Sequence, residues 1–169
     1  MKKRRSVGSS FRFDFRIVMA TFCFAIFTFC MLKYFEPVQA IEYDISGSLS
    51  VPQIGLYTDV TTLKLEKGKL NTPNTIAGSF TRYEGRTLLI GHSSTVFKVL
   101  DDIQIGQEVD YNDSSYIVEK IELLEKQDID MDKLLLPDDK NSLVLMTCAG
   151  ELYANGDASH RLIIFAYRV

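Results

Sequence analysis

The chain has 169 residues, 46% of them hydrophobic, which suffices for one domain with its own core and a short additional segment. Its formal net charge of −3 is unevenly distributed: residues 1–16 hold six basic residues and one acid, so the remaining 153 residues carry a net −8. An acidic body of this kind argues against nucleic acid as a partner, because nucleic-acid binding needs a basic face.

An uncharged apolar segment, 17–32, follows the basic residues at the N terminus. As a helix it would be about 24 Å long, and with the interfacial residues that follow it can span a hydrocarbon core of roughly 30 Å. We predict a basic cytoplasmic tail (1–16), one single-pass transmembrane signal-anchor helix (17–35) and an extracellular tether (36–48). The alternative is a signal peptide cleaved after Ala40. Both interpretations place the rest of the chain outside the cell.

The three cysteines fall into two groups. Cys23 and Cys30 lie in the apolar segment, where we expect them to face lipid or to pack. Cys148 is the single thiol of the exported body. Because an oxidising compartment favours paired cysteines, an unpaired one is a buried spectator, an intermolecular link or a reactive group.

Short β-strand patterns separated by turn signals dominate residues 49–169. Pro52 predicts a bend or an edge in the first β-rich stretch (49–60), and a short helical turn is expected within 61–70. The clearest pattern is a hairpin over 107–124 that turns at Asn112 to Ser115. The other predicted elements are a loop (71–80), a strand ending at Gly91-His92 (86–93), a turn or short helix (94–103), a helical turn (129–137) and two strands (142–148 and 160–169). This succession favours an all-β fold with short helices, in the form of a closed or nearly closed barrel.

Chemistry-bearing residues occur at the ends of these predicted strands, in the order His92, Cys148, Arg161. A thiol, whose free pKa is about 8.5, needs a base or a cationic neighbour to become a useful thiolate near neutral pH. A histidine can supply this and later protonate a leaving amine, while an arginine can stabilise an oxyanion. At adjacent strand ends, these residues would form a complete acyl-transfer site. His160 is the rival base, but a strand directs it to the face opposite that of Arg161.

The residues around these three positions resemble the sortase family. Sortases carry a Thr-Leu-X-Thr-Cys motif at the end of a strand, and this chain has VLMTC at 144–148. They carry a histidine in a Gly-His setting, which LLIGHSS at 88–94 matches, and an arginine on the next strand, which HRLIIFAY at 160–167 matches. The resemblance covers about residues 49–169. One departure is Val144 at the motif's first threonine, a change that removes no catalytic group.

The resemblance implies a closed sortase-type β-barrel of about eight strands, preceded by the N-terminal transmembrane helix. It implies that Cys148 attacks the Thr-Gly carbonyl of an LPXTG-like sorting signal on a secreted protein, and that an amine, such as one of a peptidoglycan precursor, resolves the thioester. His92 would be the general acid and base, and Arg161 would hold the oxyanion or the substrate carbonyl. Thr147 would support these residues or contact the substrate. The chemistry implies no metal and no cofactor, although some relatives use calcium to order a loop.

Two alternatives are another cell-wall cysteine enzyme and a non-catalytic, membrane-tethered β-barrel that binds a partner. Papain-like wall peptidases place the cysteine before the histidine, the reverse of the order here. L,D-transpeptidases carry a Ser-X-Gly-Cys-X-Arg type of signature that LMTCAGE, 145–151, lacks. The tether also lacks the Asp-Pro-aromatic lid motif of many pilus-building sortases, which favours an unlidded, protein-anchoring enzyme.

Overall fold

The computed structural model describes residues 19, 22–29, 42–137, 141–154 and 156–169. The chain divides into two compact units, Met1–Glu42 and Tyr43–Val169. In the first unit, residues 19 and 22–29 are helical. The predicted cytoplasmic tail, more than half of the predicted membrane segment and the first part of the predicted tether lie outside the described residues. Within the residues that the structure describes, no helix combines the length and the apolar character needed to cross a membrane.

The second unit is built from β-strands with only short helices. The barrel strands are β1 (Ile45–Val51), β2 (Leu56–Thr62), β5 (Ala77–Phe80), β6 (Arg86–Ile90), β7 (Glu108–Tyr111), β8 (Ser114–Glu125), β9 (Ser142–Leu152) and β10 (Ala158–Arg168). They close in the order β1-β2-β5-β6-β9-β10-β8-β7, and a separate hairpin is formed by β3 (Leu65–Glu66) and β4 (Lys69–Leu70). The helices are α1 (Met131–Leu134) and three 3-10 segments (Pro52–Ile54, Leu100–Asp102 and Lys126–Asp128). The predicted eight-stranded closed barrel is therefore confirmed.

Strand β9 shows how the alternation of side chains divides the apolar residues between two clusters. Leu143 and Leu145 belong to the main core, whereas Val144 belongs to a second cluster with Leu134 and Leu135. Successive residues of a strand point to opposite faces, so the second cluster lies on the other face of β9, where α1 packs. Val144 is fully buried there. An apolar side chain suits this site, which explains how the chain accommodates its departure from the motif.

Several predicted elements are correct, and Pro52 does mark a bend, since a 3-10 segment begins there between β1 and β2. The hairpin over 107–124 is present as β7 and β8, with the two-residue turn Asn112-Asp113. Residues 94–103 form turns and a 3-10 segment, and a helical turn is found within 129–137.

The helical turn expected within 61–70 is wrong, because this stretch forms the end of β2 and the hairpin of β3 and β4. Leu63 and Leu65 alternate with charged residues, which is the period of a strand. Lys67 and Gly68 both have positive φ, 51° and 78°, as a two-residue turn between antiparallel strands requires.

The boundaries of four strands differ from the predicted ones. The predicted loop over 71–80 ends in β5, and β1 begins at Ile45, inside the segment predicted as a tether. Strand β9 continues to Leu152, and strand β10 begins already at Ala158. The stretch between the two predicted strands, 149–159, is therefore partly strand (149–152 and 158–159), because the two segments pair with each other along most of their length.

Candidate active site

Cys148 lies on β9, between a strand end that carries His92 and a strand that carries Arg161. Arg161 is the direct partner of Cys148 in the antiparallel pairing of β9 with β10. On the other side, β6 and β9 are parallel and Ile90 pairs with Met146. Continuing that register by two residues brings His92 beside Cys148. Paired residues of neighbouring strands share a face, so the fold brings the three predicted residues together on the face of β9 that also carries α1.

The register of β9 and β10 depends on a bulge next to the cysteine. Ala158 pairs with Leu152, but His160 pairs with Ala149, so β9 contains one extra residue between these pairs. Gly150, with a φ of +77°, lies in this bulge. Without the extra residue, Arg161 would be opposite Ala149. The bulge therefore decides that the arginine and the thiol are neighbours.

The segment that carries His92 is fixed to β9 by Thr147. Thr147 is buried, and its hydroxyl donates a 2.8 Å hydrogen bond to the carbonyl oxygen of Gly91. Gly91 also has to be a glycine, because a Cβ there would lie 2.7 Å from the ring of Phe97, a core residue. In the Gly-His pair of the sequence, packing therefore requires the glycine, and the histidine is the predicted site residue.

His92 is half-buried and is held by its backbone as well as by its ring. Its carbonyl oxygen accepts hydrogen bonds from the amides of Thr95 and Phe97. Its Nε2 lies 3.3 Å from the carbonyl oxygen of Thr72. A carbonyl oxygen only accepts, so Nε2 carries the hydrogen in this contact and Nδ1 is the ring nitrogen that can exchange a proton.

The guanidinium of Arg161 is also fixed, and its side chain is only 14% exposed. Its Nη1 donates to the carbonyl oxygens of Ala158 (3.0 Å) and His160 (2.8 Å). Its Nη2 donates to Oδ1 of Asp157 at 2.8 Å. Asp157 also forms an ion pair with Lys126. The hydrogen bonds from Lys126 and Arg161 hold the pKa of Asp157 well below its ordinary value.

His92, Thr147, Cys148 and Arg161 line one cavity of about 460 Å³. Its apolar walls come from the hairpin of β3 and β4, from α1 and from the neighbouring strands (Leu65, Leu70, Phe80, Ile90, Met131, Leu135 and Met146). Arg82 stands on the rim and pairs with Asp132 of α1. A cavity of this size with apolar walls and a few polar groups is typical of a ligand site.

Residues that build this cavity were missed in the sequence. The stretch 61–70 is predicted to hold a helical turn and not the hairpin of β3 and β4, and no sequence pattern marks Asp157, which contacts Arg161 without lining the cavity. One signal was present for α1, since Asp130 is a typical N-cap residue and its side chain accepts hydrogen bonds from the amides of Asp132 and Lys133. His160 does not line the cavity, and its Nδ1 lies 2.7 Å from the hydroxyl of Ser159. In the described part of the chain, no group of three or more His, Cys, Asp or Glu residues is arranged to hold a metal ion.

Comparison with known proteins assigns this fold to a family. A family model described as "Sortase domain" matches residues 49–169. A search of curated proteins gives no match. Among solved structures, the lid mutant of sortase A from Corynebacterium diphtheriae is 26% identical, with 79% of this chain and 74% of that chain covered and a TM-score of 0.58.

Two other solved structures share the fold at lower identity. Sortase C1 from Streptococcus agalactiae is 22% identical, with 77% of this chain and 70% of that chain covered and a TM-score of 0.58. Sortase A from Listeria monocytogenes is 16% identical, with 74% and 87% covered and a TM-score of 0.58. The chain belongs to the sortase family, whose members are in general cysteine transpeptidases.

Proposed function

We propose that this sortase is a catalytically active, membrane-anchored cysteine transpeptidase. It cleaves an LPXTG-like sorting signal between Thr and Gly and transfers the protein to an amine of the cell wall or of another surface protein. The observation that carries the proposal is the position of Cys148 on β9, with Arg161 paired directly opposite it and His92 at the adjacent strand end. All three line the same cavity.

The proposed reaction starts with Cys148 as thiolate and His92 as imidazolium. The sulfur attacks the threonine carbonyl carbon, the C–N bond to glycine breaks, and His92 gives its proton to the departing amine. The product is a thioester and a neutral imidazole. The acceptor amine then attacks the thioester carbonyl, its proton passes to His92, and the C–S bond breaks to restore the thiolate.

Each side chain has a role that its contacts support. Because Nε2 of His92 faces the carbonyl of Thr72, Nδ1 carries the exchanged proton. Arg161 uses three of its five N–H groups on described residues of the chain, and the others serve the carbonyl oxygen as it becomes negative. Thr147 fixes the strand end before His92. The apolar walls suit the apolar side chains of a sorting signal.

The location and partners form part of the proposal. Segment 17–35 anchors the chain with its N terminus in the cytoplasm, so that the barrel meets secreted proteins outside the membrane. The acceptor is an amine such as that of a peptidoglycan precursor. The reaction needs no cofactor, because the thiol, the imidazole and the guanidinium supply the nucleophile, the proton transfer and the charge stabilisation.

The test is intact-mass spectrometry of the full-length chain in mild detergent, incubated with an LPXTG-type peptide library and triglycine. We expect an acyl-enzyme at Cys148 and a triglycine-linked product. Cys148→Ala should abolish both, and His92→Ala and Arg161→Ala should each slow product formation at least about 100-fold. Parallel reactions with calcium and with a chelator test for a calcium requirement.

The non-catalytic alternative predicts a different pattern. No acyl-enzyme would form, and iodoacetamide would label Cys148 at the same rate with and without His92. That combination would overturn the proposal. Labelling that slows in His92→Ala would show that the imidazole activates the thiol.

A further inference from the structure

Arg161 does not stand alone beside the thiol, because an acidic residue four positions earlier holds it. Oδ1 of Asp157 accepts from Nη2 of Arg161 at 2.8 Å. The arginine side chain is 14% exposed and the aspartate side chain 29% exposed, so the pair is largely shielded from solvent. Charge-assisted hydrogen bonds in such a setting are stronger than those between neutral groups.

Asp157 is itself held by the hairpin between β9 and β10. Its carbonyl oxygen accepts from the amide of Tyr153 at 2.7 Å, and its Oδ1 also accepts from the amide of Ala158 at 2.9 Å. Lys126 approaches its other carboxylate oxygen, Oδ2. The carboxylate therefore has little freedom, and it can hold the guanidinium in one orientation.

The hydrogen bonds of Arg161 to described residues leave two of its N–H groups without an acceptor. Nη1 gives both hydrogens to the carbonyl oxygens of Ala158 and His160, and Nη2 gives one hydrogen to Asp157. Within the described part of the chain, Nε–H and the second hydrogen of Nη2 meet no acceptor. Nε and Nη2 share one edge of the planar guanidinium, and donors on one edge can grip an oxygen from two directions.

The charges around Arg161 fit the same role. A carboxylate next to an oxyanion site would oppose the developing negative charge, but Lys126 offsets it. Lys126, Asp157 and Arg161 together carry a charge of +1, so the arginine is oriented while the group stays positive.

We infer that Asp157 is a positioning residue for transpeptidation: its carboxylate holds the guanidinium of Arg161 so that the Nε–Nη2 edge is free for the carbonyl oxygen of the sorting signal. This inference rests on the proposed function. Asp157 acts through Arg161 and does not contact the substrate.

The test compares Asp157→Ala and Asp157→Asn with the wild-type full-length chain. The matched control is Glu122→Gln, because Glu122 has the same side-chain exposure of 29%, pairs with Lys120 and does not line the cavity. We expect Asp157→Ala to lower kcat for product formation about 10- to 100-fold with little change in KM, since the apolar walls are intact. Asp157→Asn keeps an acceptor oxygen and should recover part of the loss, and Glu122→Gln should behave as wild type.

A second measurement follows the guanidinium directly. In protein with ¹⁵N-labelled arginine, NMR reports rotation about the Nε–Cζ bond of Arg161, assigned by its absence in Arg161→Lys. We expect slow rotation in wild type and faster rotation in Asp157→Ala. If Asp157→Ala matches Glu122→Gln in both rotation and kcat, the inference is overturned. If the wild type forms no acyl-enzyme, the proposed function fails. Independently of that result, a rotation rate in Asp157→Ala equal to that of the wild type would overturn the positioning role.

Discussion

The hydroxyl of Thr147 donates a 2.8 Å hydrogen bond to the carbonyl oxygen of Gly91, which joins β9, at the residue before Cys148, to the residue before His92. The bond lies in the interior, where Thr147 is 4% exposed. The parallel pairing of β6 with β9 ends at Ile90 and Met146, two residues before His92 and Cys148. This hydroxyl extends the connection by one further bond.

Replacing Thr147 with Val should weaken this connection without changing the size of the side chain much. The Gly91 carbonyl loses its partner in a buried site, so we expect the free energy of unfolding to fall by about 1–3 kcal/mol. Denaturant unfolding measures it, and acylation should slow as His92 loses its fixed position. Thr147→Ser, which keeps the hydroxyl, should retain most of both properties. Equal stability of the Val and Ser variants would contradict this role.

Gly150→Ala should disturb the register of β9 and β10. The φ of +77° strains any residue with a Cβ, and the added atom would lie 2.4 Å from the hydroxyl of Ser159. We expect a loss of stability of about 1 kcal/mol or more, together with a loss of activity larger than the fraction unfolded explains. Circular dichroism and product formation at one temperature measure the two effects. Gly156→Ala, at a φ of +80° with open space around it, is the control for strain alone.

Val144→Thr would restore the family's first motif threonine, but it places a hydroxyl in an apolar cluster. Val144 is 0% exposed and packs with residues such as Leu88 and Ile163. We expect a loss of about 1–3 kcal/mol in the free energy of unfolding, because the hydroxyl leaves water for an apolar site. Activity of the folded fraction should be unchanged. Undiminished stability, measured by denaturant unfolding, would mean that the hydroxyl finds a partner in this cluster.

The ion pairs of Asp157 should make stability depend on pH. Hydrogen bonds from Lys126 and Arg161 lower the pKa of this carboxyl below its ordinary 3.8. A group whose pKa falls on folding stabilises the folded state above its ordinary pKa, and this contribution is lost as the pH falls toward the folded value. Wild type should exceed Asp157→Asn in free energy of unfolding at neutral pH, and the difference should shrink below about pH 4. A difference that is constant down to about pH 3 in denaturant titrations would refute this coupling.

The sequence by itself determined the elements whose signals are local. The runs of aliphatic and aromatic residues in 142–148 and 160–169 indicate strands, and the polar turn within 107–124 indicates a hairpin, because both patterns are read from neighbouring residues. The order His92, Cys148, Arg161 and the residues around them were enough to suggest the family, since side-chain chemistry is a property of the sequence.

Only the tertiary structure decided which of these residues meet. The parallel pairing of β6 with β9 joins segments more than fifty residues apart, and no local pattern specifies it. The bulge at Gly150 shifts the register by one residue and thereby puts Arg161 opposite Cys148 instead of Ala149. The cavity walls from β3 and β4 come from a segment far from Cys148 in the sequence, and Lys126 likewise reaches Asp157 from a distant segment. Non-local pairing and a one-residue register shift are determined by the packing of the whole chain, which is why the sequence predicted the chemical groups and the fold decided their arrangement.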